Sequence, residues 1–388
     1  MDFSPSPEQQ AWQRECEAFV STELQPWDDQ IERQGIVPES ALEGLRRMGM
    51  FGLNTPSEYG GSGLSMVETC IAMRELAKAH IAYYYISGLN LHIGSKGLEL
   101  DGTEEQKQRW LPEMASGRQV TAFALTEPGA GSNAASIATT AVRDGNHYIL
   151  NGRKIYITNA PIAGIFTVFA RTSNTKGAGG ISAFIVEAGT PGLRIGELQE
   201  MLGGNGSTHA EVIFEDCRVP EDCLLGGQEG QGFRTAMKCL DAGRVCWGSY
   251  CVGAAERLLD LTLDQVSTRQ QFGSPLAANQ GIAWQLADMK SSLHAATLVA
   301  AEAAWTYDHN PQHRSVRSAM SKLIGGDMVF KVADTALQLF GGSGYSRSTP
   351  IERIWREVRV VRILDGTSEI MRSIVARGLM AEHSAAGT

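Results

Sequence analysis

The chain has 388 residues, 43% of them hydrophobic and 20% charged, with a formal net charge of −9. That length supports two or three domains with substantial cores, and the acidic balance argues against nucleic-acid binding as the main role. Seven scattered cysteines without a CxxC pair disfavour structural zinc and a disulfide framework, and no stretch reaches the roughly 18 apolar residues of a membrane span. With no cationic flank leading into an apolar core at the start, a cytoplasmic and reducing setting is expected, without a metal, a nucleic-acid partner or a membrane span.

From Pro7 to about Ser116, apolar spacing predicts helices over 8–23, 38–48, 66–79, 81–95 and 104–115. Residues 54–63 are dense in turn formers and separate two of them. Thr103-Glu104-Glu105-Gln106 reads as a capping box, with Thr103 as N-cap and Gln106 as its partner; Pro112 reads as a local bend or a new helix start. After Val120 the period changes. Short β-branched and aromatic stretches at 139–143, 148–149, 154–158, 165–171, 181–187 and 210–217 are divided by Asp144-Gly145-Asn146, Asn151-Gly152 and the glycine-rich 177–180 and 203–206. No amphipathic helix of crossover length lies between them, which disfavours a doubly wound nucleotide fold. Helical spacing returns from Gly232, over 233–263, 276–307, 314–339 and 350–363. The predicted class is multidomain α+β: an N-terminal helical domain at 1–120, a middle β domain at 121–231 and a C-terminal four-helix bundle at 232–388.

Two segments carry chemistry. Leu125-Thr126-Glu127-Pro128-Gly129-Ala130-Gly131-Ser132 combines two glycines, which let the chain turn with amides exposed, with hydroxyls at Thr126 and Ser132 suited to polar or phosphate oxygens; an ordinary glycine-rich loop is the plain alternative. Arg362-Ile363-Leu364-Asp365-Gly366-Thr367-Ser368-Glu369-Ile370 presents a carboxylate just before a glycine. Kept dry, it is a candidate base for a weakly acidic carbon-bound proton, although most Asp-Gly pairs simply end a helix.

Together with Lys154-Ile155-Tyr156-Ile157-Thr158-Asn159, Arg269-Gln270-Gln271-Phe272-Gly273-Ser274-Pro275-Leu276 and Gln338-Leu339-Phe340-Gly341-Gly342-Ser343-Gly344-Tyr345, these segments resemble the acyl-CoA dehydrogenase family, in order and across nearly the whole chain. The resemblance implies FAD as cofactor and α,β-dehydrogenation of an acyl-CoA to the 2-enoyl-CoA. It implies flavin or pyrophosphate contacts at Leu125, Thr126 and Ser132, with Ser132 also near the substrate, and a place beside the flavin ring for Tyr156 and Thr158. The family usually carries tryptophan at position 156. Arg269, Phe272, Gln338, Gly341 and Gly342 match positions that hold the adenosine-diphosphate part of FAD across a subunit boundary, and Thr367 and Glu369 match further cofactor contacts. A homotetramer, formed as a dimer of dimers, and oxidation by an electron-transfer flavoprotein are implied as well.

Asp365 occupies the position of the catalytic base, where many members of the family have glutamate. The side chain is shorter by one methylene, about 1.5 Å of reach, and resembles branches acting on cyclic substrates such as cyclohexanecarboxyl-CoA; short or branched acyl groups are the other expectation. A second family branch places its glutamate where this chain has Gly243, so that base is absent. Arg244 and Asp241 are implied on the CoA side, Gly366 next to the substrate, and Tyr84, Asn90 and His92 as candidates for shaping the acyl pocket, each with a plain structural alternative. Enoyl-CoA reduction, elimination or desulfination on the same scaffold, and nonenzymatic acyl-CoA binding are the alternative functions.

Overall fold

A computed structural model describes residues 5–386 of the protein. The N-terminal region holds α1 (Pro7–Phe19), α2 (Asp28–Gln34), α3 (Glu39–Arg47), α4 (Met66–Leu76), the short α5 (Ile81–Tyr83), α6 (Lys96–Asp101) and α7 (Glu104–Ala115). Three of these helices start at capping boxes, set by Ser6 with Gln9, Ser65 with Glu68 and Thr103 with Gln106. Each box satisfies backbone donors that a helix start leaves unpaired. Pro112 is not a new helix start: α7 runs through it. The apolar stretch after α5 departs from the regular helix expected over 81–95: it contains two π-helical turns, Tyr84–Gly88 and Asn90–Gly94, all of whose residues are buried. Wide turns of this kind often mark functional sites.

The middle region is a seven-stranded sheet built from β1 (Thr121–Ala124), β2 (Thr140–Asp144), β3 (His147–Thr158), β4 (Ile165–Arg171), β5 (Ile181–Glu187), β6 (Leu193–Leu198) and β7 (His209–Pro220). The strand order is β1-β4-β2-β3-β7-β6, with β5 added alongside β4. Pairings are antiparallel except for β4 with β1 and β2, and no crossover helix is present within the sheet. Asn151-Gly152 is not a turn between strands. It lies inside β3, where the register against β7 shifts between Leu150 and Gly152. Gly152 sits at φ 155, and a Cβ there would come within 2.3 Å of Thr139 Oγ1, so glycine is required for the bulge to close on its neighbour.

The C-terminal region begins with α8 (Gly232–Thr268), followed by the β8 (Gln270–Gln271) and β9 (Ser274–Pro275) hairpin, α9 (Gln280–His309), α10 (Arg314–Phe340), α11 (Pro350–Arg359) and α12 (Ser368–Ala386). Helix α12 was not anticipated, since its mixed sequence has no sharp apolar stripe. One core joins residues of α1, α4 and the π-helical stretch to α8, α9, α10 and α11, while the sheet has a second core around Phe166, Phe169, Phe184 and Phe214. The helical regions therefore share one buried interior despite their separation in sequence. An ion-pair group ties α11 to the N-terminal region: Arg353 pairs with Asp28 at 3.0 Å and Arg356 with Glu32 at 2.7 Å. That anchoring matters because α11 leads directly to the Asp365 turn. No helix among the described residues is long and apolar enough to cross a membrane.

Candidate active site

The two segments singled out from sequence meet at one cavity of about 1220 Å³ between the sheet, α8 and the start of α12. Its wall includes Leu125, Thr126, Ser132, Tyr156, Thr158, Arg244, Asp365, Gly366 and Thr367. The volume exceeds the roughly 300–1,000 Å³ of an ordinary small-molecule pocket, as a dinucleotide-sized ligand together with a substrate requires.

The glycine-containing loop is held from beneath by a buried ion pair. Lys154, on β3, donates to Glu127 Oε1 at 2.7 Å and to the Leu125 carbonyl at 3.2 Å. Glu127 also accepts from the backbone amides of Ala138 and Thr139. Burial alone pushes the Glu127 carboxyl up, but Lys154 and the backbone donors bring it below the usual carboxylate range. A Cβ at Gly129 or Gly131 would meet nothing within 4 Å, so these glycines border open space. Tyr156 turns its ring out of the sheet at φ 55 and is 56% exposed.

Asp365 sits at φ 50, an uncommon conformation for a residue with a Cβ. Tyr156 and Asn159, also at positive φ, line the same cavity. Backbone strain of this kind collects at sites where geometry serves chemistry. Several donors define the aspartate turn. Lys322, buried on α10, donates to the Leu364 carbonyl at 2.6 Å and to the Gly366 carbonyl, clasping the chain on both sides of Asp365. Arg244 donates from Nε to the Asp365 carbonyl at 3.0 Å, and Trp247 donates from its indole to Asp365 Oδ2 at 2.9 Å. Burial raises the Asp365 pKa above the ordinary value, with Lys322, Arg244 and the Trp247 hydrogen bond opposing it. Burial likewise brings Lys322 down to about 8, against the pull of Asp365. A Cβ at Gly243 would stand 3.3 Å from Asp365 Oδ2, so the two base positions of the family converge on one point in this structure.

The other candidates are placed differently. Arg244 is committed to Asp241 at 2.9 Å, and Asp241 also accepts from Ser318 and Ser315; Asp241 is not part of the cavity wall. Asn90 lies behind the wall, donating to the Phe51 and Met114 carbonyls and accepting from the Thr121 amide, which is a structural bracing role. Tyr84 and His92 are also behind the wall, fully buried, with the Tyr84 hydroxyl and both His92 ring nitrogens lacking partners among the described residues. Desolvation, aided by Lys96, takes His92 down to about 3, so it is neutral. Glu369 is exposed outside the cavity. Arg269, Phe272, Gln338, Gly341 and Gly342 are all exposed, away from this cavity. Sequence reasoning missed Trp247, Lys322 and Lys154 as site-forming residues. The spacing of Arg244 and Trp247, one helical turn apart, was the available signal for Trp247.

The residues present fit FAD. Besides the open glycine loop and the outward aromatic, two buried polar atoms of wall residues, Thr121 Oγ1 and Arg359 Nη1, have no hydrogen-bond partner among the described residues and suit a ligand rich in oxygen and nitrogen acceptors. Comparison with known proteins agrees. Models of the N-terminal, middle and C-terminal domains of acyl-CoA dehydrogenases match residues 6–118, 122–217 and 230–380. The chain is 41% identical to acryloyl-CoA reductase (NADH) of Anaerotignum propionicum over 382 residues, covering 98% of this chain and 96% of that protein. Butyryl-CoA dehydrogenase from Megasphaera elsdenii superposes with a TM-score of 0.94 at 34% identity, over 98% of this chain and all of the other. PigA, solved with FAD and proline, superposes with a TM-score of 0.94 at 30% identity, over 98% of this chain and 99% of that one. The chain belongs to the acyl-CoA dehydrogenase family and is an FAD-dependent oxidoreductase.

Proposed function

We propose that the protein oxidises a compact acyl-CoA, short, branched or cyclic, between its α and β carbons, with Asp365 as the base. The observation that carries this reading is the Asp365 carboxyl group on the wall of the cofactor-sized cavity, with one oxygen held by Trp247 and the turn around it fixed by Lys322 and Arg244. Bound FAD supplies the acceptor for the hydride that leaves the β carbon. Asp365 takes the α proton; burial raises its pKa and so makes it a stronger base than a solvated aspartate, while Lys322, Arg244 and the Trp247 hydrogen bond favour its ionised form. The apolar wall, including Leu89, Ile93, Phe123 and Met237, excludes water from the reacting carbons.

A compact acyl group is supported by the aromatic cluster of Tyr84, Tyr85, Trp247 and Tyr250, whose rings pack at 4.4 to 6.1 Å around Trp247, a bulky wall residue in contact with the base. It is also the class named for the acryloyl and butyryl relatives. Cyclohexanecarboxyl-CoA is a specific member of the proposed range. The similarity to an acryloyl-CoA reductase favours enoyl-CoA reduction as the second reading. Anaerobic mixing of FAD-loaded protein with butyryl-, isobutyryl-, cyclohexanecarboxyl- and octanoyl-CoA tests both. Rapid bleaching with the compact thioesters, and products lighter by two hydrogens, is expected. Slow bleaching with every saturated thioester, alongside NADH-dependent consumption of acryloyl-CoA, would assign the reductive direction instead.

We also propose an electron-transfer flavoprotein as the oxidant, and a homotetrameric assembly in which a neighbouring subunit completes each FAD site. Support for the assembly comes from Phe272, fully exposed on the β8–β9 hairpin at φ 51, at a position where the family resemblance implies contact with a neighbouring subunit's FAD. Light scattering of the FAD-saturated protein is expected to give a tetramer; a monomer retaining full FAD would refute the shared site. Reoxidation by electron-transfer flavoprotein, much faster than by oxygen alone, is the corresponding kinetic expectation.

A further inference from the structure

We propose that Trp247 is the positioning residue for this enzyme's shortened base, its indole N–H holding Oδ2 of Asp365 while its ring closes the acyl end of the cavity. The proposal rests on Asp365 being the base and deepens that reading by assigning the residue that compensates for aspartate in place of glutamate.

The geometry is specific. Trp247 is fully buried, yet it forms part of the cavity wall. Its ring is fixed by Tyr84 at 4.4 Å, Tyr250 at 5.2 Å and Tyr85 at 6.1 Å, so the indole N–H is aimed by packing rather than by its own rotamer freedom. The 2.9 Å bond to Oδ2 bridges α8 to the turn before α12, and Oδ1 takes no hydrogen bond from any described residue. One oxygen is thereby tethered and the other left for the α proton, which restricts a short carboxylate to one useful orientation. Positive φ at Asp365 and the Lys322 clasp hold the backbone in the conformation that lets this bond form.

The charge environment isolates the expected effect. Arg244 and Trp247 on α8, Lys322 on α10, Tyr84, Tyr85 and His92 on the π-helical stretch face the carboxylate. His92 is neutral and both tyrosines are held protonated by burial, leaving Arg244 and Lys322 as the charged neighbours. Replacing the indole changes neither. The N–H stabilises the ionised carboxylate, so its loss raises the pKa of the base and moves the acid limb of the reaction to higher pH.

The test measures flavin reduction by butyryl-CoA and octanoyl-CoA across pH in anaerobic stopped flow, for FAD-loaded parent, Trp247→Phe and Trp247→Leu. FAD content and melting temperature accompany each variant. Phenylalanine keeps an aromatic stop and removes the donor: the acid limb should move up by about one pH unit, with a roughly tenfold lower rate below it and an unchanged preference for butyryl-CoA. Leucine should give the same shift and raise the octanoyl-to-butyryl rate ratio by about tenfold as the pocket opens. An unmoved acid limb in both variants would overturn the positioning role, and an unchanged ratio in the leucine variant would overturn the acyl stop. Asp365→Asn serves as the separate control: if it reduces flavin at the parental rate, the base assignment itself fails, whatever the Trp247 variants do.

Discussion

Replacing Asp365 with asparagine is expected to lower the rate of flavin reduction by about 10⁴-fold, the upper end of what a positioned general base contributes. The amide keeps the volume and can still accept from Trp247, so FAD and acyl-CoA binding should persist while proton abstraction is lost. The stability change has the opposite sign. Burial raises the folded-state pKa of Asp365 above its unfolded value, so the stability this group contributes is fully present below the unfolded pKa and is lost as pH rises through the folded one. The asparagine variant should therefore melt at the parental temperature or higher at pH 7, measured by calorimetry of the FAD-loaded protein. In the parent, the same raised pKa places the acid limb of turnover above the ordinary aspartate range, with activity falling as pH drops through it. An inactive variant with a lowered melting temperature would mean that Asp365 serves mainly to hold the turn.

Lys154→Met should destabilise the protein by about 3–5 kcal/mol, the typical cost of leaving one member of a buried pair uncompensated. Lys154 is fully buried, and its removal strands Glu127, which would keep only the amides of Ala138 and Thr139. Because Lys154 also donates to the Leu125 carbonyl, the loop that presents Thr126 and Ser132 to the cavity loses its support. FAD should consequently dissociate more readily in the variant, read as a higher FAD requirement for activity in dilution assays together with an earlier midpoint in urea. The double variant Lys154→Met with Glu127→Gln should recover part of the stability, since it no longer buries an unpaired charge. Failure of the double variant to recover any would show that the single loss reflects packing of the lysine stem rather than charge.

The comparison between sequence and structure divides along a physical line. Capping at Thr103 and Gln106, the β-branched runs of β4 and β5 and the return of helical spacing after Gly232 were legible because local propensity and hydrogen bonding act over a few residues. Asn151-Gly152 misled for an instructive reason: the pair has hairpin-turn chemistry, but pairing of β3 with β7 over its whole length makes a bulge the better solution. The π-helical turns after α5 were equally hidden, since their hydrogen bonds differ from those of an α-helix without a composition of their own.

The sequence by itself determined the order of helical and β regions, the presence of a glycine-containing loop with hydroxyls and a carboxylate before Gly366, each a property of neighbouring residues. Only the tertiary structure decided which of these face a common cavity. It put Tyr84, Asn90 and His92 behind the wall and Trp247, 118 positions from Asp365, against the carboxylate. It also decided the electrostatics, because the pKa of Asp365 follows from burial and from Lys322 and Arg244, groups brought close by the packing of α8 and α10. Contacts between distant segments, and the dielectric those contacts create, are products of the folded chain as a whole, and no window of its sequence contains them.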